Sequence, residues 1–228
     1  MAWSFVSYAT GEAKGDDDLT ISGAMPSHQS GDILLFGGIG YMPGGLTDPS
    51  GWTRIGSQVN FTSNGWAAVY WKRAASSSEA APAMSGSGNW GSCGLVVIRG
   101  IVASGDPVHA YSNTAYGTSN TTLRAATVTT TVSTALIFFG MSSSDATRPL
   151  NATEPSGYTE RVDWSADESG GIYISTKDAS AETTGNVDAT LNRTVGTWKH
   201  AALIALTPAA AAGISIPVAM CHYRKLRG

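Results

Sequence analysis

The sequence predicts an all-β protein: a jelly-roll or Greek-key-like β-sandwich formed from two tandem four-stranded repeats. Three observations predict it. Val, Ile, Thr, Tyr and Trp fill the apolar runs, and these residues suit a pleated, half-buried surface. No stretch of useful length has helical periodicity; Ala209 to Ala212 is too short for a helix and ends at Gly213. Finally, four blocks recur in one order. Ile33-Leu34-Leu35-Phe36-Gly37 reads like Leu136-Ile137-Phe138-Phe139-Gly140, and Pro49-Ser50-Gly51-Trp52-Thr53 like Pro155-Ser156-Gly157-Tyr158-Thr159. Val69 to Ala74 aligns with Ile174 to Ala179, and Trp90 with Leu95-Val96-Val97-Ile98 aligns with Trp198 and Leu203-Ile204-Ala205-Leu206. The offsets of 103, 106, 105 and 108 residues differ only by what short loop insertions allow.

Each unit reads as four strands. The first is a continuous apolar run, expected of a strand covered on both faces. A Pro-Ser-Gly-aromatic turn follows, with Gly supplying positive φ. Next come a strand from Thr53 to Phe61 and a third from Trp66 to Arg73. In the third, Trp66, Ala68, Tyr70 and Lys72 share one face, and Ala67, Val69 and Trp71 the other. A Ser/Ala/Gly-rich loop leads to the fourth, Gly94 to Ile98. Trp3 to Tyr8 and Leu19 to Ser22 are expected to add edge strands, and Thr127 to Thr131 is a further candidate. The domain reading is a sandwich over residues 1–208, with repeats at about 31–100 and 134–208, then a linker and strand-like basic tail over 209–228. One sandwich rather than two is expected, because four strands alone hide their faces poorly.

Composition narrows the function classes. Charged residues make only 14% of 228, and the net charge of −3 offers no general pull toward nucleic acid. The charge is uneven: residues 1–208 carry eleven basic and seventeen acidic groups, and the last twenty carry three basic and none acidic. Two cysteines make no disulfide framework at this length, and Cys93, inside an apolar run, reads as a buried free thiol. The N-terminal residues give no reason to expect a signal peptide, and no apolar run nears the roughly 20 residues of a membrane helix.

No motif assembles a reaction centre. The four histidines, His28, His109, His200 and His222, accompany no G-x-S-x-G elbow and no zinc-ligand spacing. His200 aligns near Ser92 and reads as structural. Gly86-x-Gly88-x-x-Gly91 lacks the strand-before, helix-after context of a dinucleotide site. Asp16-Asp17-Asp18 reads as a solvated turn, and Asp163, Asp167 and Glu168 as a loop-like stretch, the facing geometry that paired catalytic carboxylates need not being legible in sequence. The expectation is therefore no enzyme, no catalytic residue, no cofactor and no metal. Trp52 and Tyr158, at equivalent turns, are the candidates for ligand stacking on a sugar face, set against capping the end of the sandwich. In the tail, Ile214 to Met220 alternates like a strand, and Pro217 confines it to an edge. Ile216, Pro217, Val218, Met220, Tyr223, Arg224, Lys225 and Arg227 are candidates for an assembly segment docking on a neighbouring subunit, with packing on the chain's own sandwich as the alternative.

Gly31 to Phe36, Pro49 to Thr53, Ala67 to Ala74 and Leu95 to Gly100, together with Ile216-Pro217-Val218-Ala219-Met220 and Tyr223-Arg224, resemble a pattern recurring in tailed-bacteriophage virion proteins. The resemblance covers most of residues 3–227. It implies a non-enzymatic structural component of a virion, assembled in the host bacterial cytoplasm and associated with the tail tip, baseplate or fibre. Its implied partners are other virion proteins, further copies of itself (a trimer favoured) and a host-surface glycan, with neither nucleic acid nor membrane insertion. A capsid decoration protein and a carbohydrate-binding β-sandwich module are the alternatives.

Overall fold

The structure, a computed structural model, describes residues 3–15, 18–20, 24–42, 45–61, 64–85, 89–116, 120–142, 152–166, 170–195 and 198–210. These residues form an all-β sandwich of antiparallel strands, with no helix among them. The first main sheet comes from the N-terminal half. It runs, edge to edge, β1 (Ser4–Gly15), β8 (Asn89–Arg99), β3 (Ile33–Tyr41), β6 (Gly65–Arg73) and the short β4 (Thr53–Arg54), with β5 (Val59–Phe61) also on β6. The second comes from the C-terminal half: β9 (Val108–Tyr116), β16 (Lys199–Leu206), β11 (Thr134–Ser142), β14 (Gly170–Ala179) and β13 (Thr159–Ala166). In order of appearance within each half, the two sheets connect their strands in the same way. Each sheet has five strands along its path rather than four, because β1 and β9 are long members of it and not appendages.

The two sheets pack face to face. Leu35, Val69, Val96 and Ile98 of the first meet Ile137, Phe139, Ile172, Ile174 and Ile204 of the second in one buried cluster. Two glycines set the closeness of the contact. A Cβ on Gly94 would lie 2.8 Å from Ile172 Cγ2, and one on Gly37 3.0 Å from the Phe139 ring. The apolar runs of β3, β8, β11 and β16 are continuous because their outer faces are buried too. Outside the second sheet lies a small sheet of β10 (Asn120–Ala125), β15 (Val187–Val195) and β12 (Ala152–Thr153), which covers Leu136, Phe138 and Leu203. Outside the first, the β2–β7 pair (Leu19–Thr20 with Ala83–Met84) covers Leu34, Phe36, Leu95 and Val97. Four layers enclose three apolar seams.

The register corrects the sequence alignment of the first block. Ile33 stands between Arg73 and Ile98, and Ala135 stands between Asp178 and Leu206, so Ile33 corresponds to Ala135 and not to Leu136. Matching Gly37 to Gly140 had slipped the strand by one residue, which exchanges its faces. In the corrected register Leu34 and Phe36 face outward as Leu136 and Phe138 do, and Gly38 corresponds to Gly140. The edge strands match as well. Phe5 pairs with Ile98 and Val108 with Leu206, and each strand then carries one extra residue before pairing resumes. Three residues after that pair, Tyr8 and Tyr111 stand opposite Val96 and Ile204 and are 51% and 49% exposed.

Other expectations change locally. The single strand expected over Thr53–Phe61 is interrupted at residues 55–58, where Gly56 has φ +73°. Thr127–Thr131 makes one isolated bridge, Thr129 to Thr183. The Pro-Ser-Gly turns form as expected: Trp52 N–H and Tyr158 N–H donate to Pro49 and Pro155 carbonyls, with Gly51 and Gly157 at φ +77° and +79°.

Candidate functional site

The two rings singled out as stacking candidates are occupied by packing. Tyr158 is 8% exposed, sealed in the outer seam of the second half, with the Lys177 ammonium 5.9 Å from its ring centre. Burial pushes its phenol well above the ordinary range, and nearby Glu182 adds to this. Trp52 is half-buried against Phe36, ring centres 5.8 Å apart. Both rings thus have packing partners within the sandwich, Tyr158 fully and Trp52 in part. All the tail candidates, Ile216 to Arg227, lie outside the described residues.

The described histidines are held structurally. His28 donates from Nδ1 to the Pro26 carbonyl (2.7 Å) while Nε2 accepts from Glu79 N–H (3.2 Å). His109 Nε2 accepts from Thr131 N–H. His200 is 1% exposed in the central seam, neither ring nitrogen has a partner among the described residues, and burial lowers its pKa to about 4. Beside it Lys199 is fully buried in the outer seam, its pKa lowered by burial to about 8. Cys93 is a buried free thiol, its pKa raised by desolvation. Asp163 lies within β13, opposite Tyr173, rather than in the loop expected, and its Oδ2 accepts from Ala152 N–H. Asp16, Asp17, Asp167, Glu168, His222 and Gly86 to Gly88 lie outside the described residues, and Gly91 falls within β8. Among the described residues no His/Cys/Asp/Glu group has the geometry to hold a metal ion.

The side chains that do converge lie along one edge of the sandwich. There the start of β1 meets β13 and the end of β14 around a groove of about 470 Å³, within the range of small-molecule clefts. Trp3 and Phe5 form one wall; Thr159, Arg161, Thr176 and Asp178 form the other. The Trp3 indole N–H donates to Asp178 Oδ1 and closes one end. Arg161 is the extra residue of a bulge between Glu160 and Val162, a device that re-aims a side chain. Its guanidinium stands 5.3 Å over the Phe5 ring and donates from Nε to Thr176 Oγ1 at 2.9 Å. Its two terminal nitrogens make no hydrogen bond among the described residues. Lys177 also lines this groove, but its ammonium is held by Glu182 Oε1 at 2.9 Å. On its other side, across the Pro155–Tyr158 turn, lies a second groove of about 340 Å³ bordered by Ser156, Asn186 and Asp188. The two grooves meet at Lys177.

The corresponding edge of the other half, where β4 meets β9, is filled. Only about 70 Å³ remains there. Trp71 stands where β14 has Thr176, each paired with the equivalent Thr53 or Thr159. Ile55 follows Arg54 without an inserted residue, its N–H bonded to Val69. Sequence reading missed the open groove because its two walls lie over 150 residues apart in the chain. The one available signal was that Arg161, in the second copy, has no counterpart in the first.

No family model matches the chain, and neither a curated protein nor a solved structure is similar to it.

Proposed function

We propose that the chain is a non-enzymatic structural component of a tailed-phage virion, at the tail tip, baseplate or fibre, assembled in the bacterial cytoplasm through contacts with other virion proteins and with copies of itself. A decoration role on the capsid is the same activity at another place on the particle. The phage assignment rests on the sequence resemblance. The assembly role is carried by the open edge of β1. Among the described residues this 12-residue strand ends its sheet and pairs with a neighbour on one side only. Such an edge is a template for an added strand.

The end of the described chain lies beside the C-terminal end of β8, on the paired side of β1. Ala209 N–H donates to Gly100 O, one residue beyond the Arg99 that pairs with Ser4 of β1. The alternating pattern of Ile214–Met220 suits such an added strand, and strand addition from one subunit onto the next builds an oligomer. The test is light scattering of the full chain beside a version ending at Pro208. A defined oligomer, a trimer by resemblance, that falls to a folded monomer on truncation is the expected result. A monomer in both cases overturns self-assembly through this segment.

A further inference from the structure

We infer that the groove between β1 and β13–β14 binds a carboxylate-bearing sugar, such as a uronic acid unit of an acidic polysaccharide. The inference is independent of the assembly role, since binding and oligomeric mass are measured separately.

Four observations carry it. Trp3 and Phe5 give the groove an aromatic wall, the surface that packs against the C–H face of a pyranose. Opposite them the wall is polar: the exposed Thr159 hydroxyl and Asp178 match a ring bearing hydroxyls that both donate and accept, while Thr176, 2% exposed, lies at the base and holds Arg161.

Arg161 supplies the charge preference. A guanidinium is a planar fork suited to a carboxylate. Here Phe5 and the Thr176 bond fix its orientation, and its two terminal nitrogens are left without a carboxylate. Lys177, the other cation of the groove, is already neutralised by Glu182. Asp178 has one oxygen engaged by Trp3. Asp178 keeps its negative charge at the Trp3 end, so Arg161 is the cation of the groove that no carboxylate holds among the described residues, and it is the group that meets a negative group on the ligand.

The groove is also specific to one half of the molecule. At the corresponding edge, Trp71 fills the space and no bulge presents an arginine. Since the two sheets share strand order and register, the opening of this edge comes from the Thr176 side chain and the Arg161 insertion, not from the architecture. The second groove beyond Lys177 places room for a further sugar unit beside the first.

The test is isothermal titration calorimetry of the full chain with a glucuronic-acid-containing tetrasaccharide and with neutral maltotetraose, at low and high salt. Saturable binding of the acidic sugar, weakened by salt, is expected, with the neutral sugar at least about tenfold weaker. Arg161→Lys keeps the charge but loses the fork, and Trp3→Ala loses the platform; each lowers affinity for the acidic sugar about tenfold or more. Thr176→Trp installs the residue the other edge already accommodates and abolishes binding. Circular dichroism and a thermal melt establish that each variant is folded, and if Trp3→Ala is not, the Arg161 and Thr176 variants decide. Absence of acidic-sugar binding, equal binding of both sugars, or binding unchanged in folded Thr176→Trp overturns the inference.

Discussion

Replacing His200 by Met removes a titration that the fold resists. His200 lies on β16 between Met141 and Ala115, faces the central seam, and is 1% exposed with both nitrogens unpaired among the described residues. Burial lowers its pKa from 6.5 to about 4. The unfolded chain takes up a proton near pH 6.5 and the folded chain only near pH 4, so stability falls as the pH drops through that window and is complete above it. One pKa unit is about 1.4 kcal/mol, so the loss from this group is about 2 kcal/mol at pH 5 and about 3 kcal/mol at pH 4. Met has nearly the same volume and no proton to bind. Urea unfolding followed by tryptophan fluorescence at pH 7, 5 and 4 measures both proteins. Carboxylates titrate in both and cancel in the difference, which leaves the variant gaining about 3 kcal/mol on the parent between pH 7 and pH 4. At pH 7 the variant is at least as stable, because an unpaired buried polar group has been replaced by an apolar one. Parallel pH profiles for the two proteins would refute the account of His200 as a buried neutral ring.

Two further predictions follow from packing and pairing. Arg99 grips Asp32 through Nε (2.9 Å) and Nη2 (2.8 Å), and Asp32 is 2% exposed whereas the Arg99 side chain is 40% exposed. Arg99→Ala strands a buried carboxylate that, among the described residues, retains only the Gln29 N–H, at a cost of about 3 kcal/mol. Asp32→Ala frees an arginine that reaches water and costs only about 1–2 kcal/mol. Denaturant melts of both single variants and the double variant, which should be less destabilised than the sum, check the asymmetry. Gly94→Ala drives a methyl to 2.8 Å from Ile172 Cγ2 in the central seam and should cost about 1–3 kcal/mol. Adding Ile172→Ala removes the clash, so a thermal-melt double-mutant cycle should show the pair less destabilised than additivity requires.

Fold class and punctuation are legible in the residues alone. Continuous apolar runs at Ile33 and Leu95 specify strands buried on both faces, because no half-exposed strand tolerates them, and Pro-Ser-Gly specifies a turn because glycine alone reaches positive φ cheaply there. The sequence also showed that blocks recur. It did not determine register. Matching glycine to glycine slid β3 against β11 by one residue, and only cross-strand pairing shows which neighbour each residue faces. Nor did it show what covers the outer faces: β10, β12 and β15 are short or polar on one side, and their partners lie far along the chain. Trp52 and Tyr158, in equivalent turns, were open to surface stacking or to capping the sandwich end, and the packing partners of each, Phe36 and the outer seam, are visible only in the tertiary structure. The edge groove was decided wholly by tertiary structure. Trp3 and Phe5 reach Arg161 and Asp178 only because β1 and β13 end their sheets on the same side, and whether that edge is open or filled depends on one threonine in place of a tryptophan and one inserted residue, since side-chain volume, not strand pattern, sets the space left between two packed sheets.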